Sequence, residues 1–351
     1  MRVLVTGHGG YIGAVMTRML DAAGLDVVGT DSGLFQGCDF GRYEPPRQVI
    51  ERDLRDLEVS DLDGFDAVVH LAAISNDPLG DLNPGCTWDI NHKASVRLAE
   101  VAKRAGVTRF LYSSSCSVYG AASPDDVLAE TAAFSPITAY AQSKVKVEAD
   151  LAKLADDDFS PTYLRNATVY GVSPRLRGDL VVNNLVGWAF ATGRVFLKSD
   201  GTPWRPLVHV QDVCHAFLAV LRAPAEAVHD QAFNVGRNGE NYRVRQVAEL
   251  VSREVPNSRI DFAEGAGPDP RCYRVDFTKI ERALPDFKPR WTVADGVAEL
   301  HAAFRQELMR TEDLEGDRYV RIRRIVRMLE SGWLDSNLRR RPSGTGPAPW
   351  A

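Results

Sequence analysis

The chain opens on a short apolar run, "RVLVT", followed by the amphipathic stretch "GAVMTRMLDAAG" and a second run, "DVVGT". The succession continues with "AVVHLAA", "ASVRLAEVAKRAG" and "RFLYSSS". Short continuous apolar runs fit strands covered on both faces, and the longer stretches between them carry helical spacing. The alternation predicts parallel strands joined by crossover helices, an α/β sheet with helices on both faces. A further helix is predicted from about Ala139 through "YAQSKVKVEADLAKLA", and the strand "PTYLRNATVYG" after it.

Beyond about residue 170 the rhythm breaks. "VSPRLRGDLVVNNL", "GTPWRPLVHV" and "GPDPRCYRV" are richer in proline, glycine and arginine. They predict loops and short elements of a smaller lobe over the C-terminal edge of the sheet. "DVCHAFLAVLRAP" returns to helical spacing. Near the end Ile322, Ile325, Val326 and Leu329 fall at i, i+3, i+4 and i+7, an amphipathic helix whose arginines read as a solvated face. The tail "RRRPSGTGPAPWA" reads as mostly disordered. The expected division is 1–170 with 207–236 in the sheet domain, 171–206 with 237–335 in the lobe, and 336–351 as tail.

Composition narrows the partners. With 351 residues, 44% hydrophobic and 25% charged, the chain can bury a sizeable core. A formal charge of -5 argues against nucleic acid. Five scattered cysteines without a CxxC pair predict reduced thiols in a cytoplasmic protein. The histidines show no HExxH or other ligand spacing, so no metal is expected. No stretch approaches the ~20 apolar residues of a membrane span.

The first turn carries chemistry. Gly7, Gly10 and Gly13 lie between a strand and a helix. There Gly7 permits a tight bend, Gly10 lets the backbone approach a pyrophosphate, and Gly13 lets helix pack on strand. The helix N-terminus then offers free N–H groups to the anion. Asp31, at the end of the second strand, stands where a carboxylate accepts hydrogen bonds from an adenosine ribose and repels a 2′-phosphate, favouring NAD over NADP. "YSSSCSVYG" follows a strand, and "YAQSK" starts a helix with Tyr140 and Lys144 four residues apart on one face. A tyrosine acting as base near neutrality must titrate about 3 units below its usual value, and a nearby ammonium pushes that way.

Together these motifs resemble the extended short-chain dehydrogenase/reductase family, in its NAD-dependent nucleotide-sugar epimerase/dehydratase branch, over roughly residues 1 to 300. The resemblance implies a Rossmann-type doubly wound parallel sheet with a smaller C-terminal substrate-binding lobe, NAD as cofactor, a nucleotide-diphosphate sugar as substrate and a homodimer. "VTGHGGYIG" is similar to the cofactor loop, which adds Tyr11 and Ile12 to the glycines. "ERDLRD" implies adenine contacts at Asp53 and Leu54. "HLAA" implies a nicotinamide-side strand end at Leu71, Ala72 and Ala73, and "DIN" implies a steadying role for Asn91. Ser115, Tyr140 and Lys144 match the catalytic triad. In the substrate half the resemblance implicates Asn184, Arg205 and Asp269, with Arg271 standing in for an arginine that usually precedes the acid. Arg175 and Arg177 read equally as phosphate ligands or as surface charge.

Departures narrow the reaction. Where the 4,6-dehydratases carry Asp-Glu, this chain has Cys116 and Ser117, and the decarboxylases' glutamate is also Ser117. Thr168 replaces a typical asparagine, Ser75 a lysine, and Tyr273 falls where the sugar's C2 substituent is screened. The expected activity is 4-epimerisation through a 4-keto sugar. A ketoreductase or dehydrogenase is the alternative, a 4,6-dehydratase ranks lower, and a non-catalytic NAD sensor lower still.

Overall fold

The computed structural model describes residues 1–75, 82–123, 125–267, 269 and 271–344. Seven parallel strands form its main sheet, in the order Gln231–Val235, Ser160–Asn166, Arg109–Ser115, Ala67–His70, Arg2–Thr6, Asp26–Thr30 and Gln48–Ile50. The direction of winding reverses between Arg2–Thr6 and Ala67–His70, so a crevice opens at the C-terminal ends of these two strands. Their register pairs Thr6 with His70. The Thr6 hydroxyl lies 2.7 Å from His70 Nδ1, and His70 Nε2 lies 2.8 Å from the Ser95 hydroxyl. Burial pushes His70 down to about 3, so the ring is a neutral strut that ties the two strand ends to a flanking helix.

The predicted helices lie close to their expected places: Tyr11–Ala22, Ala94–Arg104, Ala139–Leu151 and Val210–Arg222. Leu4, Val68, Phe110, Leu98 and Val147 share one apolar cluster on one side of the sheet; Val3, Val69, Leu111, Met16 and Phe217 share another. Alternate residues of each strand therefore feed opposite clusters, as a sheet covered on both faces requires.

A three-stranded sheet of Thr168–Tyr170, Trp204–His209 and Asn241–Arg243 lies beyond the main one. Helices Val181–Thr192, Val244–Glu254 and Val293–Gln306 pack around Tyr170, Val186, Val247, Leu300 and Phe304. Thr292 caps the last helix by accepting from Asp295 N–H while the Asp295 carboxylate accepts from Thr292 N–H, a reciprocal pair that fixes where it starts.

The C-terminal segment corrects two expectations. The helix Arg321–Glu330 buries Arg321, Arg324, Ile325 and Met328, a face rotated from the predicted Ile322–Leu329 stripe. Arg321 and Arg324 are thus buried rather than solvated, because polar backbone and ring faces receive them: Arg321 Nη2 donates to Arg175 O at 2.9 Å and Arg324 Nη2 to Gln36 O at 2.8 Å. Residues 336–344, expected within a disordered tail, are placed by contacts. Leu338 is buried with Ile74 and Cys86, and Arg55 Nη1 donates to Asn337 O at 2.7 Å. The remaining tail residues, 345–351, lie outside the described ones.

Candidate active site

The glycine turn is built as its spacing implies. Gly7 has φ +75°, and a Cβ there would stand 2.8 Å from Ala72 N. A Cβ on Gly13 would stand 2.0 Å from Gly7 O. Side chains at either place would drive backbone from backbone, so only hydrogen permits this fold of the chain. Helix Tyr11–Ala22 starts at Gly10 with no side-chain cap, which leaves its first N–H groups for an anion. The Asp31 carboxylate accepts from Gly9 N at 3.1 Å and Gly33 N at 2.7 Å, holding it beside the turn. These are the features of a dinucleotide cradle: close backbone, free donors and an acid beyond them.

One cavity of about 1010 Å³ runs from this turn into the smaller lobe. Gly7, Gly10, Tyr11, Ile12, Gly13, Asp31, Asp53, Leu54, Leu71, Ala72 and Ala73 line one arm. Ser75, Ser115, Tyr140, Lys144 and Thr168 line the middle, and Asn184, Arg205, Asp269, Arg271 and Tyr273 line the other arm. Nearly every residue expected at the site therefore opens onto the same space. Asn91 does not line it. It sits buried in a π-helical turn, Trp88–Lys93, and exchanges two bonds with the Ile74 backbone, at 2.7 and 2.9 Å. It shapes the strand exit rather than touching what fills the cavity.

Ser115 ends its strand and accepts from Ser117 N at 3.1 Å. Thr138 caps the helix that carries Tyr140 and Lys144, accepting from Ala141 N at 3.2 Å. Lys144 Nζ donates to Ser113 O at 2.6 Å and lies 5.6 Å from the centre of the Tyr140 ring. One turn further, Glu148 pairs with buried Arg165 at 2.7 Å and accepts from the Ser114 hydroxyl at 2.5 Å. This network pins the helix to the strands Arg109–Ser115 and Ser160–Asn166, and with it the spacing of the three site residues.

Burial pushes Lys144 down to about 7, against the opposing pull of Glu148. Unfolding returns the ammonium to its ordinary value of 10.5. Between about pH 7 and pH 10.5 the unfolded chain therefore binds a proton the native chain lacks, and this group makes stability rise with pH. In urea titrations of the ligand-free protein at pH 7 and pH 10, Lys144→Met is expected to remove that rise relative to the native sequence. Parallel pH dependences in the two proteins would contradict it.

Arg175 and Arg177 are both buried, which removes the surface-charge reading. Arg177 pairs with Asp179 at 2.9 Å and reaches the Ser75 hydroxyl at 3.1 Å. Asp269 sits between Arg205 and Arg271, at 2.9 and 2.7 Å. Asn184 donates to Gly178 O at 2.7 Å. Sequence reasoning missed Val320, Arg321, Ile322, Arg323 and Leu338, which also line the cavity. The signal available was Arg321 and Arg324 sharing a helical face with Ile325 and Met328.

Comparison with known proteins agrees with this geometry. The chain matches the model of the NAD dependent epimerase/dehydratase family over residues 3–236. It is 30% identical over 317 residues to the UDP-glucose 4-epimerase of Mycolicibacterium smegmatis, covering 88% of this chain and 99% of that protein. UDP-glucuronic acid decarboxylase 4 of Arabidopsis thaliana is 26% identical over 325 residues, 88% of this chain and 69% of that one. The solved structure of MoeE5 in complex with UDP-glucuronic acid and NAD has a TM-score of 0.75 and 28% identity, covering 87% of this chain and 99% of MoeE5. A model match over residues 3–236, and a relative aligned along nearly its whole length, make this chain a member of the NAD-dependent epimerase/dehydratase family.

Proposed function

We propose that the protein is a nucleotide-sugar 4-epimerase that retains NAD and acts by transient oxidation at C4 of the sugar. Bound NAD would supply the acceptor and then the donor of hydride. Gly7, Gly10 and Gly13 with Tyr11 and Ile12, Asp31, Asp53, Leu54 and the Leu71–Ala73 strand exit would hold it. Tyr140 takes the proton of the C4 hydroxyl, Ser115 holds the reacting oxygen, and Lys144 favours the phenolate in its protonated form, which the developing negative charge on Tyr140 in turn favours. Asn184, Arg205 and Arg271 receive the diphosphate, Asp269 the nucleotide ribose, and Ser75, Thr168 and Tyr273 border the sugar. The sugar is then free to turn over while its diphosphate stays anchored.

The observation that carries this reading is that Ser115, Tyr140 and Lys144 open onto the same cavity as the glycine turn. Cys116 and Ser117 stand at the positions where elimination or decarboxylation would need a carboxylate. Cys116 is buried, and burial pushes its thiol up, away from ionisation. On the same resemblance the helices Ala94–Arg104 and Ala139–Leu151 pair with those of a second subunit. No helix among the described residues is long and apolar enough to cross a membrane.

The test is to release the nucleotide from purified protein, then to incubate the intact protein with UDP-glucose, UDP-galactose and UDP-glucuronic acid in turn. Near-stoichiometric NAD and interconversion of one C4 pair without net NADH are expected. NADH accumulating in step with substrate consumed would replace the epimerase with a dehydrogenase.

A further inference from the structure

The C-terminal helix places an arginine inside the fold without a direct ion-pair partner among the described residues. Arg321 is only 3% exposed and lines the cavity. Its Nη2 donates to Arg175 O, and its guanidinium stacks 4.1 Å over the Phe35 ring. Nη1 has no hydrogen-bond partner, and Arg321 makes no ion pair, among the described residues. Arg175, Arg177 and Asp179 are its charged neighbours; burial, with the repulsion of the two arginines and against the pull of Cys38 and Asp179, pushes Arg321 down to about 10. A buried cation with a vacant donor is costly, and an anion that meets it relieves that cost.

The surroundings say which anion. Phe35 lies in the stretch after Asp31, at the exit of the second strand. Arg175 donates to Phe35 O and stacks on Tyr43, whose hydroxyl lies 2.9 Å from His8 Nδ1 within the glycine turn. Arg321 thus belongs to the glycine-turn arm of the cavity rather than to the arm of Arg205 and Asp269. The chain after the helix continues over the same arm. Leu334 and Leu338 join Ile325, Met328, Ile74 and Cys86 in one apolar cluster, with Leu34 and Phe35 against it. Arg339 pairs with Asp56, Asn337 O accepts from Arg55, and Arg55 grips Asp53 at 2.7 Å. Arg340 lies close enough to Asp31 to feel its charge.

We propose that residues 320–340 are part of the dinucleotide site: Arg321 binds the dinucleotide's diphosphate opposite the glycine turn, and Leu338 to Arg340 clasp its adenosine end. The clasp retains the cofactor between turnovers, as an enzyme that returns its hydride to the same substrate needs. The inference rests on the dinucleotide site described above and assigns it a wall from outside the matched segment 3–236.

The test uses the intact protein loaded with NAD. Arg321→Met keeps the stem and removes the charge; the double variant Arg339→Ala with Arg340→Ala loosens the clasp from the surface and spares the core. Bound NAD is measured after repeated desalting, and affinities for NAD and for UDP are measured separately by calorimetry. Arg321→Met is expected to weaken NAD about 30-fold, the size of one lost charge-assisted contact, with UDP affinity changed less than about twofold. The double variant is expected to release NAD about tenfold faster, with the melting temperature of the ligand-free protein unchanged. Weakened UDP with unchanged NAD in Arg321→Met would reassign the arginine to the substrate's diphosphate and overturn the proposal. Native NAD retention in the double variant would overturn the clasp, and does so even if Arg321→Met fails to fold. A native protein that binds no NAD at all would instead sink the functional reading itself.

Discussion

Tyr140→Phe is expected to lose about 10³-fold in kcat while holding NAD as tightly as the native protein. The substitution removes one oxygen and leaves the ring, so the packing of helix Ala139–Leu151 is preserved. What is lost is the only phenol that lines the cavity beside both Ser115 and Lys144 among the described residues, other than Tyr11 and Tyr273 on its two arms. Tyr11 is committed elsewhere, since its hydroxyl donates to Gly171 O at 2.7 Å, and burial pushes its ionisation far up. Tyr11 can therefore not take over as base. Turnover of a UDP-sugar, with NAD content measured on the same sample, checks the prediction. Activity within tenfold of native would remove Tyr140 from the chemistry and leave the site without a proton acceptor.

Gly13→Ala is the second large effect. A methyl at this position meets Gly7 O at 2.0 Å, His8 Cα at 2.7 Å and Gly7 C at 2.8 Å, all backbone. No rotamer change relieves such a contact, so the turn has to open and redirect the N–H groups left uncapped at the helix start. About 100-fold weaker NAD binding is expected, or about 2.7 kcal/mol, with a lower melting temperature from the strained strand-to-helix junction. Calorimetry with NAD and thermal melts of the ligand-free variant read the two effects. Unaltered NAD affinity would mean that the cofactor does not lie against this turn.

Much of the site was legible because its residues act through local geometry. The glycines are demanded by backbone distances within one turn, and Tyr140 and Lys144 share a face by helical spacing alone. Asp31 and Ser115 sit at strand ends, which the apolar runs mark. Asn91 was identified as a steadying residue and does hold the Ile74 backbone, without lining the cavity. What local pattern does not carry is the partner across space. Arg175 and Arg177 read equally as surface or site until the fold buried them against Phe35, Ser75 and Asp179. Arg321 read as surface because a charged helix face usually is. Its burial depends on Phe35 and on a carbonyl from Arg175, both remote in sequence.

By itself the sequence determined the parallel sheet, the glycine turn and the order in which serine, tyrosine and lysine follow it, because periodicity and steric need act over a few residues. Only the tertiary structure decided that the last described residues fold back over the glycine-turn end of the cavity and that two arginines of the final helix point inward. Both outcomes turn on contacts between segments some 290 residues apart, such as Arg324 with Gln36. There, the desolvation of a guanidinium is weighed against carbonyls and rings that no local pattern announces.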